Sequence, residues 1–134
     1  MGIHPNLAGY FLVSGWLLNL GDYLMLTYYT DRFIPDTAAG CARGPLIFIR
    51  PKYKSDRGLL EHEKVHRCQW FRTLALHSLL YFFIPEYRLA SEVEAYKEQA
   101  KWYDDDRLPK FAGYISRNYG LKITQEDALK LLRE

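Results

Sequence analysis

Apolar positions fall into two regimes along the chain. From Leu7 to Tyr29, "LAGYFLVSGWLLNLGDYLMLTYY", they run almost without interruption and leave the choice between helix and strands open. The stretch is long enough to span a bilayer, yet Asn19 and Asp22 stand near its middle and no basic anchor precedes it. It therefore reads as a buried segment of a globular domain, broken at "NLGD", with membrane association the disfavoured alternative. "FIPDTAAGCARG" follows as a Pro/Gly-punctuated connection, and "PLIFIRP" as a short β-rich run closed by proline at both ends. Because proline cannot donate to a ladder, Leu46, Ile47, Phe48 and Ile49 are expected to form an edge strand.

Beyond Ser55 the period becomes helical. "SDRGLLEHEKVHRCQWFRTLALHSLLYFFIP" reads as one long helix, capped by Ser55 or Asp56 and stopped by Pro85. A second helix is expected from about Glu86 to Tyr103, and a third from Lys110 to Tyr119 with Gly120 as its left-handed stop. The last starts at Thr124, where Thr124 and Asp127 approximate a capping box. A strand region followed by several helices predicts an α+β fold, and no linker divides residues 1–134, so one domain is expected.

Composition narrows the choice of partner. The net charge is +2 with no Lys/Arg stripe, so nucleic acid is not expected. Cys41 and Cys68 form no CxxC pair and read as unpaired thiols of a reducing compartment; the opening "MGIHPN" lacks a basic n-region, so a cytoplasmic location is expected. Eleven tyrosines suit either a packed core with polar handles or a groove that grips extended chains.

The chemistry sits in "LLEHEKVHRCQW". One helical turn separates His62 from His66, so both can reach one ion, and Glu63 lies close enough to take a proton from a water beside it. This is the HExxH arrangement of zinc hydrolases. On a helical wheel His62, Glu63 and His66 share a sector with Leu59, Trp70 and Leu74, while Lys64, Arg67 and Cys68 fall opposite. Histidines on the inner face need a partner, and a metal is one.

A third ligand is then required. His77 shares the face, but on a continuous helix it lies about 16 Å along the axis from His66 and is out of reach. On the next helix Glu92 falls within the apolar stripe of Leu89, Tyr96 and Tyr103, whereas Glu94 and Glu98 fall on the solvated face. Glu92 is accordingly the expected third ligand of one Zn2+; an ion pair with Arg88 is its alternative role.

"HEKVH" followed by "EVEAY" with its first glutamate inward resembles the gluzincin branch of the zincin metallopeptidases, including small zincin-like proteins of phages and bacteria. The resemblance covers residues 40–103. It implies a minimal zincin-like fold, with His62, His66 and Glu92 on zinc, Glu63 as general base, and a peptide or protein as substrate. It also implies that Leu46–Ile49 pairs with the substrate backbone. Where the larger families carry an aspartate four residues after the inward glutamate, this chain has Tyr96. A tyrosine commonly donates to the developing oxyanion, and Tyr96, Tyr103, Tyr114 and Tyr119 are candidates. The second reading is a non-catalytic, zinc-stabilised assembly module with the same fold.

Overall fold

The computed structural model describes residues 10–13, 16–19 and 26–134, the first two stretches as paired backbone strands. Strands β1 (Tyr10–Val13) and β2 (Trp16–Asn19) pair antiparallel. Most of the expected break at "NLGD" lies outside the described residues. A second sheet contains β3 (Leu26–Tyr29), β4 (Gly40–Arg43) and β5 (Leu46–Ile49) in the order β3-β5-β4, with β5 parallel to β3 and antiparallel to β4.

The strand at Leu46–Ile49 forms where the sequence predicts it, but it is central rather than at an edge. Its prolines fall just outside the ladder: Pro45 follows Gly44 in the β4–β5 turn, and Pro51 opens a 3-10 turn over Pro51–Tyr53. A missing N–H constrains a strand only within the paired residues, so proline at both flanks did not specify an edge. The turn itself rests on Gly44, whose φ of 61° suits a residue without Cβ. The edges are β3 and β4. Leu26, Tyr28 and Tyr29 of β3 are exposed, against the expectation of a buried segment, because the first long helix packs on β4 and β5 and leaves β3 at the far side.

That helix, α1 (Arg57–Arg72), begins at Asp56, whose carboxylate accepts the Leu59 N–H at 3.0 Å. It does not continue to Pro85. The chain leaves it at Thr73, passes through Leu74 and Ala75 with φ of 50° and 68°, and starts a separate helix, α2 (His77–Phe83). The break satisfies its own carbonyls: Leu74 N–H reaches Phe71 O and Ala75 N–H reaches Trp70 O, the paired bonds of a Schellman ending with leucine where glycine is usual. No glycine or proline marks this ending in the sequence. Two expectations fall with it. Leu74 does not face the interior but is 87% exposed, and the distance that separated His77 from His66 does not apply to a chain that turns back.

Helix α3 (Pro85–Ala100) starts on Pro85 at its first turn, and α4 (Leu108–Asn118) and α5 (Gln125–Arg133) complete the chain. Gly120 has a φ of 63° beyond α4, and the Thr124 side chain accepts the Asp127 N–H at the start of α5, both as read from the sequence. Tyr96, Phe111, Ala112, Ile115, Ala128 and Leu132 form the main core between α3, α4 and α5. Ile47, Ile49 and Leu59 form a smaller one between the sheet and α1, each full burial contributing about 1.5–3 kcal/mol. Helix α1 is thus held between sheet and α3, which buries more of its circumference than one apolar stripe. For that reason Arg67, expected on the solvated side, is 4% exposed. Among the described residues no helix is long and apolar enough to cross a membrane.

Candidate metal centre

Helices α1 and α3 face each other where the two histidines meet the inward glutamate. His62 Nε2 and His66 Nε2 are 3.1 Å apart. His66 Nε2 lies 3.4 Å from Glu92 Oε1, and His62 Nε2 lies 3.6 Å from Glu92 Oε2. Ligand atoms about 2.0–2.1 Å from a tetrahedral zinc stand about 3.3–3.4 Å from one another, so the triangle has the size of one face of such a site. Glu92 is 2% exposed and its Oε2 is buried without a hydrogen bond. An unpartnered carboxylate oxygen at that depth costs several kcal/mol, and a cation removes the cost. The residues present therefore fit a divalent metal.

Arg88 is not the partner of Glu92; its guanidinium donates to the carbonyls of Tyr81 and Phe82. Glu94 and Glu98 are the solvated carboxylates, paired with Arg72 and Lys101.

The electrostatics follow from burial opposed by proximity. Burial, then repulsion from His66, presses His62 down to about 3. Burial also works against charged His66, but the adjoining Glu92 outweighs it and raises His66 to about 9. Burial opposes charge on Glu92 too, and there His66, His62 and the Tyr81 hydroxyl prevail, lowering it to about 2. Without an ion, one proton on His66 Nε2 is shared towards His62 and Glu92.

Glu63 sits one residue round α1, 4% exposed, against the edge strand β4. Burial pushes it up to about 7, with partial relief from His66 and from a hydrogen bond with the Ala42 backbone. Gly40 leaves room for it: a methyl there stands 3.3 Å from Glu63 Oε1 and 3.0 Å from the Phe48 carbonyl oxygen.

Of the expected tyrosines, Tyr96 packs its ring edge-on to His62 with centroids 4.5 Å apart, and its hydroxyl pairs with that of Tyr119 at 2.7 Å. Tyr103 serves the start of α1, donating to the Asp56 cap at 2.6 Å and accepting from Gln99. Tyr114 packs against Tyr96 and Phe111. Among the described residues, the tyrosine whose hydroxyl reaches the candidate ligands is Tyr81 of α2, 2.5 Å from Glu92 Oε1. The sequence held no signal for it, because a continuous helix carries Tyr81 away from the site. His77 also returns to it, its ring centroid 5.9 Å from that of His66, but its Nδ1 pairs with the Tyr87 hydroxyl at 2.8 Å and it is not among the ligand atoms.

A glutamine stands near each of the two histidines, but only His66 is hydrogen-bonded to its own. Gln69 Oε1 lies 2.9 Å from His66 Nδ1. Gln99 acts on His62 from α3 and favours its charged form, although His62 Nδ1 and Gln99 Oε1 stand outside normal hydrogen-bond geometry.

No family model matches the chain, and no curated protein and no solved structure matches it.

Proposed function

We propose that this chain is a zinc-dependent metallopeptidase whose ligands are His62, His66 and Glu92 and whose general base is Glu63. One observation carries the reading. Three candidate ligand atoms, 3.1, 3.4 and 3.6 Å from one another, stand beside a further buried carboxylate, Glu63, which is not in that triangle and so is not needed as a ligand. A zinc ion, when bound, supplies a Lewis acid for a peptide carbonyl and lowers the pKa of water. Glu63 accepts the proton of the attacking water and returns it to the departing amine. Gly40 and the Ala42 hydrogen bond hold its carboxylate against β4. Among the described residues that strand has one sheet neighbour, which leaves an edge for pairing with an extended peptide, the role the resemblance implied for Leu46–Ile49.

The burial of His62, Glu63 and Glu92, with the His66 side chain 11% exposed, favours the second reading, a zinc-stabilised module without catalysis. Glu63→Gln separates the two. Under the peptidase reading, hydrolysis of an unstructured protein such as casein falls by at least about a hundredfold while zinc content stays. Zinc-loaded parent protein that cleaves no peptide at all supports the structural module.

A further inference from the structure

Behind His66, on the side away from Glu92, a polar chain runs out to the surface. Gln69 Oε1 lies 2.9 Å from His66 Nδ1 and 2.5 Å from Ser91 Oγ. Gln69 Nε2 lies 2.8 Å from Glu94 Oε2 and 3.2 Å from the Ser91 carbonyl oxygen. Arg72 Nη2 lies 2.8 Å from both Glu94 oxygens. Gln69 is 3% exposed and Ser91 4%, so the inner links are closed to water, while Arg72 and Glu94 are half-exposed.

We infer that Gln69 is the positioning residue of His66, fixing which imidazole nitrogen faces the ligand triangle, and that Ser91, Glu94 and Arg72 fix Gln69. The inference rests on the proposed metal site but makes a claim that holds without the ion.

The amide can point only one way. A carboxylate and a carbonyl only accept, so the atom facing Glu94 and the Ser91 oxygen must be the NH2 group. Flipping the amide would turn its oxygen towards the Glu94 carboxylate and the Ser91 carbonyl oxygen, at 2.8 and 3.2 Å, and replace two attractions by acceptor–acceptor repulsion. The atom facing His66 is therefore the amide oxygen, which also only accepts, and the Ser91 hydroxyl donates to it from the other side. His66 Nδ1 must then carry a hydrogen. In the neutral ring that leaves Nε2 with the lone pair, aimed at His62 and Glu92. An imidazole free to choose its tautomer spends part of its time with Nε2 protonated and unable to bind a metal; Gln69 removes that choice.

The outer links are graded. Ser91 also approaches His66 Nδ1, at 3.4 Å, so its loss relaxes Gln69 without unpairing the histidine. Arg72 and Glu94 are exposed enough for water to replace much of what they do.

Long-range 1H–15N spectra of the metal-free protein, taken at rising alkaline pH until the His66 ring signals stop shifting, read the tautomer of the neutral ring directly. The parent should show His66 as the Nδ1–H form and Gln69→Leu a mixture or the Nε2–H form, with Glu94→Gln like the parent. Zinc affinity should fall about 10–100-fold in Gln69→Leu, a few-fold in Ser91→Ala, and less in Glu94→Gln. An Nε2–H tautomer in the parent overturns the inference even if Gln69→Leu does not fold. So does a folded Gln69→Leu that keeps the parent's tautomer or binds zinc within about threefold of it. A parent that binds no zinc removes the metal site instead, and the tautomer then decides the inference alone.

Discussion

His62 and His66 hold their Nε2 atoms 3.1 Å apart, the first buried and the second 11% exposed at its side chain. Two lone pairs at that distance repel, and two N–H groups collide, so something positive must lie between them: one proton, or a metal. Since His66 ionises at about 9 in the metal-free protein, zinc must displace a proton at neutral pH. Zinc affinity should therefore rise about tenfold per pH unit from pH 7 and level off above pH 9, with roughly one proton released per ion at pH 7.5. Calorimetry in buffers of different ionisation enthalpy measures both. An affinity flat from pH 7 to 9 contradicts the proton's location.

Stability without metal should pass through a maximum. His66 is raised above its unfolded value of 6.5, so its contribution is complete below 6.5 and lost as pH rises through about 9. Glu63, raised from 4.5 to about 7, loses its contribution in the same direction. Glu92, lowered from 4.5 to about 2, and His62, lowered from 6.5 to about 3, contribute above their unfolded values and lose that as pH falls. Thermal melts of the chelator-treated protein should peak in mildly acidic solution and decline towards pH 9. A melting temperature still rising between pH 7 and 9 would be the contrary result.

Among the described glycines, Gly40 is the one where an added methyl group presses on Glu63, the proposed general base. Gly40→Ala sets carbon against Glu63 Oε1 and the Phe48 carbonyl oxygen, and overpacking of this kind costs about 1–3 kcal/mol. The variant should keep its zinc and lose at least about tenfold in peptide turnover, because the displaced group is a proton acceptor rather than a ligand. Full turnover in a folded, zinc-loaded variant would show that Glu63 does not need its place against β4.

Leu74 pays for the end of α1 with a left-handed backbone and gains no burial in return, at 87% exposed. Glycine takes that conformation without the Cβ clash, so Leu74→Gly should stabilise the protein by about 0.5–1 kcal/mol in denaturant unfolding. A less stable variant would mean that the leucine side chain has a partner that this ending does not show.

How much of this was legible in the sequence depended on whether the deciding signal was local. His62, Glu63 and His66 were readable because one helical turn brings them together in any setting, and Glu92 because a lone carboxylate in an apolar stripe is conspicuous. The α1 ending at Leu74 was not readable, since its hydrogen bonds are made by backbone and its left-handed residues are neither glycine nor asparagine. With it went the return of Tyr81 and His77 to the site, and the central position of β5, which depends on β3 pairing from twenty residues upstream. Gln69 lay three residues after His66 on the same face, and that i,i+3 spacing was the available signal for its role. Tyr96 stands where the resembling families carry an aspartate, and here it packs on His62 while a glutamine of α1 supports His66.

Metal analysis of the purified protein beside His66→Ala, Glu92→Ala and Glu94→Ala tests the central claim most directly. The parent and Glu94→Ala should carry about one zinc per chain, and His66→Ala and Glu92→Ala essentially none. A folded Glu92→Ala that keeps its zinc would contradict the site.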